Sequence, residues 1–269
     1  MEILKTFPLG QYIPGNSLLH GISAKAKIIV SFWLIIIIFL LKLNFYSYLL
    51  FFLLVLLGIL LSSLSINYFI RSLKPVYFLI LFTFVIHFFF GEEGGKVYFR
   101  YGIIHITDNG IKMALFMSLR LIYLVLITSL LTLTTSVLEL AQAIEDLLKP
   151  LNFVKFPVHE FSMMMTIAIR FVPTLLEETD KIIKAQKARG AEFGKGNLIS
   201  QAKSLLPIII PLFINAFRRA NELAEAMEAR CYRGAKGRTR YRISHWTIKD
   251  LVFLTIGILY PILLLVFFS

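Results

Sequence analysis

Five apolar segments dominate the hydrophobic pattern of this chain. They are Ala26–Leu41, Phe45–Leu61, Pro75–Phe90, Ile111–Thr135 and Leu251–Phe268. A transmembrane α-helix needs about 20 consecutive apolar residues, and each segment comes near that length. The first two are short and lie close together, so one bent helical hairpin that does not fully cross is the alternative to two spans. The pattern predicts an all-α membrane protein with about five transmembrane helices.

The polar section between the last two apolar segments has helical periodicity of its own. Ser136–Lys149 begins with a serine that is followed by Glu139 three residues later, which is the capping-box pattern of a helix start. The segment is predicted to be an amphipathic helix. Two long helices are predicted after it, over Val158–Ala188 and Leu198–Arg230. Prolines inside both of them predict kinks.

Both long helices have a narrow seam whose residues are spaced four and three apart, as expected where one helix crosses another. The first seam consists of Val172, Leu176, Thr179, Ile183 and Gln186, and the second of Phe213, Phe217, Ala220, Ala224 and Met227. The alanines of the second seam are small enough for another backbone to approach closely. We therefore expect the two helices to cross along these seams.

Basic residues orient the chain in the membrane. Residues 136–247 contain 17 Lys plus Arg against 11 Asp plus Glu, and basic loops stay on the cytoplasmic side. We expect this section and the N-terminus to face the cytoplasm of a multi-pass cell-membrane protein. The predicted plan is a membrane domain over 1–135, a cytoplasmic domain over 136–247 and a final transmembrane helix over 248–269.

Composition agrees with a membrane location and narrows the classes of partner. The chain is 58% hydrophobic and 16% charged, whereas soluble domains are about 25% charged. The net charge of +12 comes from residues beside apolar runs, which favours an anionic membrane face or an acidic partner over nucleic acid. Cys231 is the single cysteine, which excludes an internal disulfide and a multi-cysteine metal site.

The loop over residues 91–110 lies on the opposite side from the basic section. Its stretch Val97–Thr107 is rich in aromatic and β-branched residues, which predicts a small hairpin. The following Asp108-Asn109-Gly110 predicts a turn that leads into the next helix. A capping loop without chemistry is the interpretation we favour.

The two long helices end in the same short sequence, Ala-x-x-Ala-Arg. The first copy ends with Ala188, Arg189 and Gly190, and the second with Ala229, Arg230 and Cys231, 41 positions later. A single arginine in a last turn is favourable to the helix dipole and is more often a simple helix ending than a site. Two copies beside a membrane domain suggest two equivalent contacts on a two-part soluble partner.

No catalytic, metal-binding or cofactor-binding constellation is apparent in the sequence. Glu177 and Glu178 resemble part of an intramembrane protease site, but Lys181 and Lys184 lie at spacings that predict surface ion pairs. A membrane-embedded enzyme would need His, Asp or Glu clustered near one membrane face. A stand-alone secondary transporter would need charged residues inside the spans, where only His87 and Arg120 qualify.

Over nearly its whole length the chain resembles the transmembrane T component of energy-coupling factor (ECF) transporters. The matching stretches are Ser17–His20 with Lys25 and Lys27, Arg120, Leu131–Thr135, Pro150-Leu151, Arg170–Pro173, Ala185–Gly190 and Ala226–Arg230. The paired arginine motifs are the most specific of these. The second motif has Cys231 where the family usually has glycine.

The resemblance implies a non-catalytic coupling subunit. A T component joins two cytoplasmic ATP-binding-cassette ATPases to a small membrane protein, the S component, which captures the substrate. Two crossing coupling helices dock their arginine ends in grooves of the ATPases. Ala188, Arg189 and Gly190 would take one docking role and Ala229, Arg230 and Cys231 the other. The substrate, a vitamin or a metal ion, is bound by the S component, so this sequence does not select it.

Overall fold

The computed structural model describes residues 12–90, 96–101, 104–150, 157–191, 197–234 and 246–268. The described part is almost entirely helical, which confirms the predicted fold class. Its helices are α1 Ala24–Leu40, α2 Phe45–Ser62, α3 Ile66–Leu73, α4 Tyr77–Phe90, α5 Asp108–Thr134, α6 Val137–Leu148, α7 Val158–Ala188, α8 Leu198–Ala229 and α9 Ile248–Phe268. Two strands, β1 Val97–Tyr101 and β2 Ile104–Thr107, precede α5.

Four stretches of helix are long and apolar enough to cross a membrane, within the part of the chain that the structure describes. They are Phe45–Ser62, Ile66–Phe90, Asp108–Thr134 and Ile248–Phe267. The predicted first span corresponds to α1, which has only 17 residues. About five spans were expected, so whether that number is reached depends on whether the short α1 crosses the membrane.

The helices α5 and α9 each begin about one turn before the apolar segment predicted for them, because polar side chains cap both helices. Thr107 precedes α5, and its hydroxyl accepts a hydrogen bond from the backbone N–H of Gly110 at 3.0 Å. The predicted turn at Asp108 to Gly110 is therefore wrong, because these residues form the first turn of α5. In α9, the Asp250 carboxylate accepts from the backbone N–H and hydroxyl of Thr247, both at 2.8 Å.

The predicted hairpin is confirmed. β1 and β2 pair antiparallel, with Val97 opposite Thr107 and Tyr101 opposite Ile104. The register shifts between Val97 and Phe99. The pairing satisfies backbone groups of a segment that lies between the membrane helices α4 and α5.

The chain forms two compact units, one within residues 144–243 and the other within 10–143 and 244–269. The second unit has an aromatic core between α2 and α5. Phe51 is fully buried, the ring centroids of Tyr48 and Phe116 lie 4.7 Å apart, and the Tyr123 hydroxyl donates to the Tyr48 carbonyl at 3.1 Å. Large buried rings at such contacts hold neighbouring membrane helices in one arrangement.

A buried polar cluster joins the ends of α1, α5 and α9 in the same unit. Lys27 is 4% exposed, and its ammonium donates to the Thr134 carbonyl at 2.9 Å and the Thr135 hydroxyl at 3.3 Å. Asp250 is 1% exposed and accepts from the Ser23 backbone N–H at 2.7 Å. These bonds satisfy groups that would otherwise be costly to bury.

The helices after α5 agree with the sequence predictions. The capping box at the start of α6 is confirmed, since the Ser136 N–H donates to Glu139 at 3.1 Å and the Glu139 N–H donates to the Ser136 hydroxyl at 3.3 Å. In the first unit, α7 has the predicted bounds and α8 ends one residue before the predicted end. Both helices continue through their internal prolines, and they pack against each other.

Candidate functional site

The first arginine end has a complete Schellman geometry. Arg189 is the C-cap of α7, and Gly190 follows it in the left-handed conformation with φ of 86°. The N–H of Gly190 donates to the Lys187 carbonyl at 3.0 Å, and the N–H of Ala191 donates to the Gln186 carbonyl at 2.9 Å. These are the two bonds of the Schellman motif. A Cβ at Gly190 would meet nothing within 4 Å, so backbone conformation rather than space favours glycine here.

The second arginine end repeats this geometry without a glycine. Arg230 is the C-cap of α8, and Cys231 adopts the left-handed conformation with φ of 56°. The N–H of Cys231 donates to the Glu228 carbonyl at 2.8 Å, and the N–H of Tyr232 donates to the Met227 carbonyl at 3.0 Å. A left-handed non-glycine residue costs about 1–2 kcal/mol. The helix stop is thus retained although the usual glycine is missing.

All six residues of the predicted docking ends are exposed. They are Ala188, Arg189, Gly190, Ala229, Arg230 and Cys231. Among the described residues, neither guanidinium has an ion-pair partner within this chain. Each arginine therefore extends from a fixed helix end with its donors directed to solvent or to a partner.

The α7 seam is half-buried, as a contact face requires. Leu176, Thr179, Ile183 and Gln186 are of intermediate exposure, and Val172 is 39% exposed. Because α7 and α8 contact each other, this face is the natural place for the predicted crossing. The role of the seam in crossing stays a prediction.

The predicted α8 seam is more exposed than the α7 seam, and its role in crossing stays a prediction. Phe213 and Phe217 are 62% and 57% exposed, Ala220 and Ala224 are also exposed, and only Met227 is half-buried. The half-buried residues of this stretch lie one position earlier, at Leu212, Ala216, Arg219 and Leu223. The most apolar face of α8 is therefore not the face that is half-buried within this chain.

An interhelical ion pair that the sequence did not predict lies on this half-buried face. The Arg219 guanidinium of α8 donates to the Glu178 carboxylate of α7 at 2.5 Å. The ion pair expected of Lys184 is confirmed, since its ammonium lies 2.5 Å from the Asp180 carboxylate, but a surface role for Glu178 is wrong. The spacing of Glu178 and Arg219, which is 41 positions, equals that of the two arginine ends and could have indicated the pair.

His87 and Arg120, which the sequence analysis singled out inside the spans, both have structural partners. The Nδ1 of His87 lies 2.8 Å from the Thr83 carbonyl of its own helix. Arg120 donates to the Leu41 carbonyl at 3.4 Å and lies over the Phe39 ring at 5.4 Å. In the described parts of the chain, no three His, Cys, Asp or Glu side chains are grouped as metal ligands would be.

Comparison with known proteins places this arrangement in a family. Residues 15–241 match the CbiQ family, which is described as a cobalt transport protein. A protein of Ruminiclostridium cellulolyticum named energy-coupling factor transporter transmembrane protein EcfT is 48% identical, over 93% of this chain and 92% of its own.

Relatives with the same name show that the similarity extends along the chain. The Brevibacillus brevis protein is 48% identical over 97% of this chain and 98% of its own. The Bacillus subtilis protein is 43% identical over 90% and 91%. With its membrane helices, its paired helix ends and these near full-length matches, the chain belongs to the CbiQ/EcfT family, the transmembrane components of energy-coupling factor transporters.

Proposed function

We propose that this chain couples ATP hydrolysis by two cytoplasmic ABC-type ATPases to micronutrient uptake through a membrane-embedded S component. The substrate would be a vitamin or a metal ion held by the S component, and the chain itself would be a non-catalytic subunit that needs no cofactor. The observation that carries the proposal is the repeated helix end, in which Arg189 and Arg230 occupy the same position of the same Schellman geometry.

The arginine ends are suited to docking on acidic grooves. Arginine is always charged and presents a planar fork of donors that matches a carboxylate. Because each arginine follows a long helix with a fixed stop, a displacement of the docked end would move the helix behind it. ATP-driven approach of the two ATPases would thus draw the two ends together and change the angle between α7 and α8.

An exposed apolar stripe on α8 supports contact with a membrane protein such as the S component. Leu206, Ile210, Phe213 and Phe217 recur at spacings of four and three and are 49–62% exposed. The rings of Phe213 and Phe217 contact each other, with centroids 4.7 Å apart. Contiguous exposed apolar surface marks a site of protein or membrane interaction. A tilt of α8 would then be transmitted to the protein that covers this stripe.

The charge distribution supports a cytoplasmic location for residues 136–247. Their excess of Lys and Arg over Asp and Glu, 17 against 11, is the asymmetry that keeps a segment on the cytoplasmic side. Arg71 and Lys74, between α2 and α4, would lie on the same side. The arginine ends would then face the compartment that contains ATP.

Purification of the tagged chain in a mild detergent, followed by mass spectrometry, tests the proposal. We expect two ABC-type ATPase subunits and at least one small membrane protein to co-purify. Reconstituted in vesicles, the assembly should hydrolyse ATP and take up the substrate of the co-purified S component. Recovery of the chain without ATPases from cells that express all candidate partners would refute the proposal.

A further inference from the structure

The ion pair between Glu178 and Arg219 is a polar contact between α7 and α8. Its Nη2 and Oε1 atoms lie 2.5 Å apart, and the two side chains are 17% and 35% exposed. The second carboxylate oxygen of Glu178, Oε2, is buried and has no hydrogen-bond partner among the described residues. Arg219 is thus an ion-pair partner of Glu178, and loss of that guanidinium would leave a largely buried carboxylate without this partner.

The pair occupies matching positions in the two helices. Arg219 follows Glu178 by 41 positions, and Arg230 follows Arg189 by the same interval. Each member of the pair therefore lies 11 residues before the arginine that ends its own helix. At 1.5 Å per residue, both helical arms extend about 16 Å from the ion pair to the arginine end.

The apolar contacts around the ion pair would fix the axial register of α7 and α8 only weakly. Half-buried positions around Arg219 on α8 include Leu212, Ala216 and Leu223, and apolar contacts of this kind are not directional. The half-buried Asn215 accepts a hydrogen bond from Arg218 of its own helix. At the apolar positions, a shift of one helical turn would bring another aliphatic side chain to the same place. The same shift moves the guanidinium about 5.4 Å along the axis, beyond hydrogen-bond reach of Glu178.

We infer that Glu178 and Arg219 set the register of the helix crossing, so that both arginine ends are held at equal distances from one fixed point. The inference rests on the proposed function, in which the two ends bind two ATPases. Equal arms turn closure of the ATPase pair into a symmetric change of the crossing angle. Unequal arms would let one end bind while the other is displaced, so that ATP is hydrolysed without transport. Glu178 and Arg219 are thus positioning residues.

Charge reversal and exchange in the complete transporter, reconstituted in vesicles, test this inference. Glu178→Arg and Arg219→Glu each place like charges together and should lower substrate uptake per ATP hydrolysed by about tenfold or more. The exchange Glu178→Arg/Arg219→Glu restores an opposite pair and should return this ratio to within about twofold of wild type. Both ATPases should still co-purify with every variant, because Arg189 and Arg230 are unchanged.

A matched control lies on the same helix. Asp180 and Lys184 form an ion pair within α7 that does not join it to α8, so Asp180→Lys should leave uptake per ATP near the wild-type value. Normal coupling in both single reversals would overturn the inference. So would an exchange variant that fails to recover coupling, since it retains an ion pair at the same place.

Failure of the inference can be distinguished from failure of the proposed function. If Arg189→Glu/Arg230→Glu releases the ATPases while the exchange variant does not recover coupling, the docking role stands and only the register role is lost. If the ATPases stay bound to Arg189→Glu/Arg230→Glu, the docking proposal itself is wrong.

Discussion

Replacement of both terminal arginines should separate the chain from its ATPases without unfolding it. Arg189 and Arg230 are exposed, and no described residue of the chain pairs with their guanidinium groups. Arg→Ala therefore removes no ion pair within the described structure and costs at most the helix-dipole term of about 0.3–1 kcal/mol per helix. The Schellman bonds are made by backbone atoms and remain. Insertion into the membrane and folding should be close to normal.

The loss of binding should be larger than the loss of stability. A hydrogen bond to a charged group contributes about 1.5–3 kcal/mol, which corresponds to about 10- to 150-fold in affinity for each arm. One remaining arm keeps the partner at high local concentration, so a single variant should weaken assembly only partly. The double variant removes both anchors, and Glu should act more strongly than Ala because it repels an acidic groove.

Co-purification and uptake measure these effects together. ATPase recovered per T component and ATP-driven uptake should fall moderately for Arg189→Ala or Arg230→Ala and should be lost in Arg189→Glu/Arg230→Glu. Arg218→Ala is the matched control, because this arginine is exposed on α8 but lies 12 residues before its end. Wild-type assembly and uptake in the double Glu variant would show that the helix ends do not dock the ATPases.

Three further predictions concern single residues. Gly190→Ala should destabilise the end of α7 by about 1–2 kcal/mol because φ is positive there; hydrogen exchange at Ala191 should accelerate, and an unchanged rate would contradict the left-handed cap. A membrane-impermeant thiol reagent should label exposed Cys231 in inside-out vesicles free of ATPase but not in intact cells, and labelling of intact cells would reverse the orientation. Lys27→Met should lower the free energy of unfolding in detergent by about 1–3 kcal/mol, since the Thr134 carbonyl loses its buried donor. The control Lys112→Met removes an exposed ion pair and should cost less than about 1 kcal/mol. Equal effects of the two variants would show that the buried hydrogen bond of Lys27 does not stabilise the fold.

Local chemistry was sufficient to place the helices and the candidate site in the sequence. Apolar length located the membrane helices, and the Ser136/Glu139 capping box located the start of α6, because caps act over only three or four residues. The bounds of α7 and the repeated Ala-Arg endings were likewise visible, since helix periodicity and helix stops depend on neighbouring residues. The early start of α5 at Asp108 was missed, although the Thr107 cap that causes it is also local.

Only the tertiary structure decided which faces and charges meet. On α8 the polar Arg219 is half-buried while Phe213 is exposed, because the ion pair with Glu178 holds the guanidinium against α7. Glu178 has positively charged neighbours along its own helix, yet its partner lies 41 positions away. Lys27 is buried because the ends of α5 offer it a carbonyl and a hydroxyl. Such pairings depend on how separate helices pack, which a pattern along one helix does not contain.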